Sequence, residues 1–195
     1  MKPIVTKKYL KLLIETSRQR VLEVLFKYPD MEFSLSDLAR EAGVAKAHIG
    51  KILDELSSAG IIQITKLSKI WRIKANQQNW VFIKSKIIYN LNFVYQSGLV
   101  EFLNEAYGNP KSIVLFGSFR HGEDISNSDI DIAIEKDEFE KYESIRLVNR
   151  ELVEIEKEIG RNIHIHQYNR KNVDINVFNN IANGIVLSGF LEVKK

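Results

Sequence analysis

The segment Ser112–Glu135 constrains the fold of this chain most, because turn-forming glycines and paired carboxylates lie close together in it. Ile113–Phe116 is a short apolar run bounded by polar residues, which predicts a strand that is buried on both faces. The run ends at Gly117, where the absence of a Cβ lets the backbone bend and approach a ligand closely. Ser118 adds a hydroxyl beside the backbone amides that a following helical turn would leave free. Together these features outline a phosphate-binding turn.

A second strand is predicted downstream, after a tight turn at Gly122 and a polar loop. Polar and apolar residues alternate over 128–134, which is the pattern of a half-buried strand. Asp129 and Asp131 then lie on the same face, two residues apart. Two neighbouring carboxylates repel each other unless a cation neutralises them, and hard cations prefer oxygen ligands. The pair is therefore a candidate site for a divalent metal ion.

The order Gly-Ser, then glycine, then S-D-x-D across two strands resembles the nucleotidyltransferase superfamily that includes DNA polymerase beta, and its minimal branch in particular. The resemblance implies that Gly117 and Ser118 contact a nucleoside triphosphate. It also implies that Asp129 and Asp131 are catalytic residues that bind Mg²⁺ or Mn²⁺. Nearby Arg120 and Ser128 complete the candidate nucleotide-binding set: Gly117, Ser118, Arg120 and Ser128.

A later strand departs from the pattern of this family. Residues 161–168 alternate, which predicts that Asn162, His164 and His166 share one face. The family places a third metal-binding carboxylate on this strand, and the position that matches it best is His164. Histidine favours zinc, manganese and similar ions over magnesium, so His164 as a metal ligand would change the metal chemistry. Whether the domain is an active nucleotidyltransferase is therefore open, although that reading is favoured.

The other polar and apolar patterns of the C-terminal half predict helices. One is expected over residues 99–106, before Gly108-Asn109-Pro110, and another over about 140–159, ending at Gly160. The inward positions of the second helix are predicted to be Ile145, Val148, Leu152 and Ile155. The closing stretch A-N-G-I-V-L-S-G-F resembles the end of the transferase domain.

Composition and charge narrow the class of protein. The chain has 195 residues, of which 45% are hydrophobic and 27% charged, as in an ordinary globular protein. No apolar run approaches the length of a membrane span, and the first residues lack the apolar core of a signal peptide, so we expect a cytoplasmic protein without membrane association. The absence of cysteine fits a reducing compartment.

The charge is distributed unevenly along the chain. Residues 1–76 contain 14 Lys and Arg against 8 Asp and Glu, whereas residues 77–195 contain 14 against 17. This asymmetry suggests a nucleic-acid-binding part joined to a metal-binding part.

The N-terminal part shows the pattern of several helices followed by a hairpin. Helical spacing is present around Tyr9–Ile14, and capping boxes at Thr16 and Ser34 open two helices. A third helix ends at Gly60, and two strands with a basic connection follow it. This order resembles a winged helix-turn-helix DNA-binding domain, in which the third helix enters the major groove and the hairpin reaches the neighbouring backbone. The candidate DNA contacts are Lys46, His48 and Lys51 on the helix, and Lys66, Lys69 and Arg72 on the wing. Ala45 stands where related domains often have a capping Ser or Thr, which would weaken DNA affinity.

These patterns predict an α+β chain with three parts. A winged helix domain spans residues 1–76, a connector helix spans 77–97, and a small nucleotidyltransferase-fold domain with a mixed sheet spans 98–195. The connector carries an apolar stripe that flanking domains or a second subunit must cover: Trp80, Ile83, Ile87, Ile88 and Leu91.

Three functions remain open on the sequence alone. The first is a duplex-DNA-binding protein whose transferase domain binds a metal-nucleotide complex and transfers a nucleoside monophosphate. The second is a non-enzymatic transcription regulator with a degenerate, nucleotide-sensing transferase domain. The third is a component of a toxin-antitoxin pair, since minimal transferases often work beside a small helical partner protein. A homodimer is also expected from the connector stripe.

Overall fold

A computed structural model describes residues 16–67, 70–147 and 149–193. These residues divide into two compact units, and the division falls between Tyr89 and Asn90, inside one helix. Each unit has its own sheet. No helix within the described ranges is long and apolar enough to cross a membrane.

The first unit packs helices on a small antiparallel sheet. Its elements are α1 (Ser17–Lys27), β1 (Glu32–Phe33), α2 (Leu35–Glu41), α3 (Lys46–Ser58), β2 (Ile62–Leu67), β3 (Ile70–Ala75) and the first part of α4 (Trp80–Gln96). The strand order is β1-β3-β2, with both pairs antiparallel. Three helices followed by a β-hairpin are the arrangement of a winged helix, and this prediction is confirmed.

Local signals set the beginnings of the first two helices. Thr16 accepts a hydrogen bond from Gln19 N at 3.1 Å, and Ser34 accepts one from Asp37 N at the same distance. Both predicted N-caps are confirmed, because each needs only residues three positions apart. The helical spacing at Tyr9–Ile14 lies outside the described residues. The buried face of the unit combines apolar residues of every helix, among them Val21, Leu25, Leu38, Ile49 and Leu53.

The second unit is built on a five-stranded mixed sheet, as predicted. Its elements are the rest of α4, α5 (Leu99–Ala106), β4 (Ser112–Phe116), α6 (Gly117–His121), β5 (Ile130–Glu135), β6 (Glu143–Ile145), α7 (Arg150–Ile159), β7 (Ile163–Tyr168), α8 (Ile175–Ala182) and β8 (Ile185–Gly189). The strand order is β6-β7-β5-β4-β8. Strands β5 and β7 are parallel, and every other pair is antiparallel. Strand β4 is buried along its whole length, which confirms the reading of its apolar run.

Two predictions about these elements need correction. The helix expected over 140–159 is a short strand followed by a helix that begins at Arg150. Ile145 pairs with Ile165 of β7 rather than facing a helix interior, because the sheet offers this segment a partner twenty residues away. Asn149 then caps α7 through its side chain, and Val148 lies outside the described residues. The strand expected over 128–134 begins only at Ile130. The helix expected over 99–106 is confirmed with the same bounds.

Helix α4 also differs from its predicted stripe. Phe82 packs into the core of the first unit, whereas Trp80 is 68% exposed and Ile88 is 63% exposed. Further along, Asn90 is buried and donates from Nδ2 to the Phe119 carbonyl oxygen at 2.8 Å. The buried face therefore includes a polar residue, and part of the apolar stripe faces solvent in the single chain.

Candidate functional site

The turn after β4 is shaped by Gly117, and its shape concerns Asp131. Gly117 has φ +74°, a left-handed conformation that residues with a Cβ rarely adopt. A Cβ built on Gly117 would lie 2.5 Å from Asp131 Oδ2. Glycine at this position thus permits both the backbone conformation and the close approach of a carboxylate from β5. The sequence predicted that Gly117 lets a ligand approach the backbone closely. In the structure the group that lies there is the Asp131 carboxylate of the chain itself.

Asp129 and Asp131 lie beside the polar residues of β7, the strand next to β5. In the parallel register Asp131 is level with His164. Asp129 Oδ1 accepts a hydrogen bond from Asn162 Nδ2 at 3.2 Å, and its Oδ2 lies 3.7 Å from His164 Nε2. Both carboxylates remain open to solvent, with side-chain exposures of 37% for Asp129 and 30% for Asp131. The structure therefore brings the three predicted metal-binding residues, Asp129, Asp131 and His164, to one face of neighbouring strands.

A second histidine makes the closer contact with the acidic pair. His166 Nε2 lies 3.0 Å from Asp131 Oδ1, and its Nδ1 lies 2.7 Å from the Tyr142 hydroxyl. Burial, together with the nearby charge of Asp131, raises the pKa of Tyr142, so this phenol keeps its proton. With a neutral imidazole, Tyr142 donates to His166 Nδ1, and His166 donates from Nε2 to Asp131. His166 lies on the face that its position in the strand predicts, but neither His166 nor Tyr142 was among the predicted site residues.

A buried ion pair holds the loop between the Gly-Ser turn and the acidic pair. Arg161 Nη2 lies 3.2 Å from Asp124 Oδ2, and the two side chains are 2% and 1% exposed. Asn90 Nδ2 donates to the other oxygen of Asp124 at 3.0 Å, and Arg161 Nη1 donates to the Ser126 carbonyl oxygen at 3.1 Å. These contacts anchor the loop where it enters β5. None of these contacts was predicted, since a buried charge pair 37 positions apart leaves no local pattern in the sequence.

The two remaining nucleotide-binding candidates have partners within the chain. Arg120 Nη1 donates to His121 Nδ1 at 2.9 Å. The Ser128 hydroxyl accepts from Ile125 N at 2.9 Å, and this bond closes the turn that delays the start of β5. Ser118 begins, with Gly117, the short helix α6, and its carbonyl oxygen accepts from Glu123 N. Ser118 and Arg120 are partly buried beside the turn.

The candidate DNA contacts of the first unit occupy an exposed surface. Lys46, His48 and Lys51 are all exposed on α3, and Lys46 is its first residue. Ala45 is the N-cap and makes no side-chain capping bond, as its residue type requires. On the hairpin, Lys66 Nζ lies 4.1 Å from the centre of the Trp71 ring and makes a cation–π contact with it.

The two remaining wing candidates are Arg72 and Lys69. Arg72 Nη1 lies 3.7 Å from Glu32 Oε2, and both side chains are at least half exposed. Such a surface pair contributes little to stability, so Arg72 can exchange this partner for a phosphate at small cost. Lys69 lies outside the described residues.

Comparison with known families decides the identity of the second unit. The family model described as "Polymerase beta, Nucleotidyltransferase" matches residues 99–189. This stretch contains Gly117, Asp129, Asp131 and both histidines of β7. Residues 99–189 form a nucleotidyltransferase domain of the polymerase beta family. The resemblance predicted from the Gly-Ser turn and the acidic pair is confirmed.

Solved structures similar to the chain cover about half of it. One is NadR in complex with 4-hydroxyphenylacetate, at a TM-score of 0.35 and 17% identity over 49% of this chain and 64% of that chain. Another is wild-type ZitR of Lactococcus lactis in complex with DNA, at a TM-score of 0.35 and 14% identity over 54% of this chain and 70% of that chain. The chain thus covers less than two thirds of NadR. No curated protein sequence matches the chain.

The nucleotidyltransferase domain offers oxygen donors that suit a divalent cation, but not a closed protein cage. Among residues 16–67, 70–147 and 149–193, no three His, Asp or Glu side chains are close enough together to hold a metal ion alone. Magnesium characteristically takes one or two carboxylates together with substrate phosphates and waters. Asp129 and Asp131 match that requirement, and the absence of a Cβ at Gly117 leaves room for Oδ2 of Asp131. The donor set therefore fits a cation that arrives with a triphosphate.

Proposed function

We propose that this chain binds duplex DNA through its winged helix unit and binds a metal-nucleotide complex in its nucleotidyltransferase domain, from which it transfers a nucleoside monophosphate to an acceptor. One observation carries the catalytic part. The carboxylates of Asp129 and Asp131 are partly exposed, and that of Asp131 lies beside the Gly117 turn, in a domain whose family has this chemistry.

Each residue of the site has a proposed role in that reaction. Asp129 and Asp131 hold Mg²⁺ or Mn²⁺. When bound, the cation neutralises charge on the triphosphate and stabilises the leaving pyrophosphate. Gly117 and Ser118 position the triphosphate, and Arg120 offsets part of its charge once it releases His121. Ser128 shapes the loop before Asp129 through its bond to Ile125 N.

The DNA-binding proposal rests on the first unit and its surface charge. A winged helix presents its third helix to the major groove, and α3 carries Lys46, His48 and Lys51 on its exposed face. Lys66 and Arg72 extend this surface onto the hairpin. We propose that the winged helix domain spans residues 1–76, the connector 77–97 and the nucleotidyltransferase domain 98–195, with α4 as the connector helix.

A second candidate function is supported by a specific feature of β7. The position level with Asp131 is His164, so the strand supplies an imidazole where the family has a carboxylate. A domain altered in this way binds nucleotide as a signal without transferring it. In this reading the protein is a transcription regulator, and nucleotide binding to the second unit controls DNA binding by the first.

Nucleotide titration beside a transfer assay separates the two functions. Calorimetry measures nucleoside triphosphate binding with Mg²⁺ or Mn²⁺ for the wild type, Asp129→Asn and His164→Asp. We expect binding by the wild type and its loss in Asp129→Asn, because the neutral amide removes one of the two anionic protein ligands of the cation. Glu105→Gln, which removes an exposed carboxylate elsewhere in the domain, should bind as the wild type does.

The transfer assay follows label from α-labelled nucleotide into the protein, RNA or an added partner. We expect slow or manganese-dependent transfer by the wild type and faster transfer by His164→Asp. Each ~1.4 kcal/mol of transition-state stabilisation restored by the new carboxylate raises the rate tenfold. Binding without transfer in both proteins would favour the regulator, and a wild type that binds no nucleotide under any metal condition would refute both functions.

A further inference from the structure

We propose that Tyr142 and His166 are positioning residues that orient the Asp131 carboxylate for a divalent cation, so that cation affinity depends on two side chains that do not touch the metal. This inference rests on the proposed function, since it concerns the same cation. It assigns a role to a hydrogen-bonded chain that runs from Tyr142 through His166 to Asp131.

The chain is well defined by distance and packing. Its two hydrogen bonds span 2.7 Å from Tyr142 to His166 and 3.0 Å from His166 to Asp131. The His166 side chain is only 13% exposed. Phe116, the last residue of β4, meets the imidazole edge-on, with ring centres 4.9 Å apart and planes at 72°. The ring therefore has a fixed orientation, set by the edge-on contact with Phe116 and by two hydrogen bonds.

The direction of the hydrogen bonds determines which oxygen of Asp131 is left for a cation. A carboxylate only accepts, so His166 donates from Nε2 to Oδ1, and the Nδ1 of the neutral imidazole accepts from Tyr142. Both imidazole nitrogens are then engaged within the chain. Oδ1 has a donor, whereas Oδ2 lies over Gly117, 2.5 Å from where a Cβ would be. Oδ2 is the oxygen that the arrangement leaves for the metal.

The contrast with His164 shows that this role belongs to His166. His164 Nε2 lies 3.7 Å from Asp129 Oδ2, beyond hydrogen-bonding distance, and its side chain is 36% exposed. His164 thus faces the open side of the site, while His166 lies behind the carboxylate. Residues that orient metal ligands from behind typically contribute 10- to 100-fold to metal affinity.

Titration of the full-length protein with Mn²⁺, alone and with a nonhydrolysable nucleoside triphosphate analogue, tests this inference by calorimetry. We expect His166→Leu to weaken Mn²⁺ binding by about 10- to 100-fold. His166→Gln should recover most of that loss, because its amide can donate to Asp131 from a similar position. Tyr142→Phe should weaken binding by a smaller factor, since His166 keeps its bond to Asp131 but loses the partner that fixes its tautomer.

Tyr107→Phe is the matched control. It also deletes a tyrosine hydroxyl with one hydrogen bond in the second unit, the bond that Gln167 Nε2 donates at 2.8 Å. If Tyr142→Phe and Tyr107→Phe have the same affinity, or if His166→Gln binds no better than His166→Leu, the positioning role is refuted. The first comparison stands even if His166→Leu does not fold. A wild type that binds neither Mn²⁺ nor the nucleotide analogue refutes the proposed function as well, which distinguishes the two failures.

Discussion

Replacing Gly117 with alanine should damage the nucleotidyltransferase domain in two separable ways. The first is backbone strain, because φ +74° costs an L-residue about 1 to 2 kcal/mol. The second is a collision, since the new methyl carbon would lie 2.5 Å from Asp131 Oδ2 and the carboxylate would have to move. Moving it breaks the hydrogen bond from His166, and a hydrogen bond to a charged group contributes about 1.5 to 3 kcal/mol. We expect the two contributions together to lower the free energy of unfolding by about 2.5 to 5 kcal/mol, with weaker Mn²⁺ binding.

Gly108→Ala isolates the first of these effects. Gly108 has φ +62°, and a Cβ built there meets nothing within 4 Å. This variant should therefore lose only the backbone contribution of about 1 to 2 kcal/mol and should bind Mn²⁺ as the wild type does.

Urea unfolding followed by circular dichroism measures the stability of both variants. Both tryptophans, Trp71 and Trp80, lie in the first unit, so their fluorescence serves as a reference for that unit. Equal destabilisation in the two variants, with Mn²⁺ binding unchanged in Gly117→Ala, would refute the idea that Gly117 makes room for Asp131.

Two further predictions concern the first unit and the connector helix. Replacing Lys46 and Lys51 with alanine should weaken duplex DNA binding and reduce its salt dependence by about one unit of slope per lost phosphate contact, as measured by fluorescence anisotropy across a salt series. Lys171→Ala, at an exposed position of the second unit, is the control, and equal slopes for all proteins would contradict the proposed surface. The full-length chain should sediment as a dimer at micromolar concentration, because Ile88 is 63% exposed on α4. Ile88→Glu should yield monomers and Lys84→Glu, on the same helix, should not; a monomeric wild type would remove this expectation.

Much of this fold follows from signals that act over a few residues. The caps at Thr16 and Ser34 need only a side chain and an amide three positions away, so they can be read from the sequence. The all-apolar β4 and its end at Gly117 are equally local, because strand burial and positive φ leave direct marks on residue type. The nucleotidyltransferase resemblance belongs to the same class, since its Gly-Ser turn and its two aspartates lie within fifteen positions of one another.

Other features depended on which segments the sheet brings together. The segment around Ile145 has residues that suit a helix, yet it is a strand because β7 has an open edge beside it. Trp80 and Ile88 form part of an apolar stripe by their spacing, but α4 buries Phe82 and Asn90 instead. Helical spacing of apolar residues indicates that a helix has an apolar face. Which face of the helix is buried depends on the elements that pack against it.

The sequence by itself determined the chemical types at the candidate site: a glycine turn, two carboxylates and a strand with histidines in place of a carboxylate. The tertiary structure decided which of them are partners. Parallel pairing of β5 with β7 leaves His164 3.7 Å from Asp129 and brings His166 to 3.0 Å from Asp131, with Tyr142 behind it. Arg161 and Asp124 likewise meet only because the loop before β5 folds back onto the start of β7. Hydrogen bonds and ion pairs act over about 3 Å, whereas these partners are 24 to 37 positions apart in the chain, so only the folded backbone determines which of them meet.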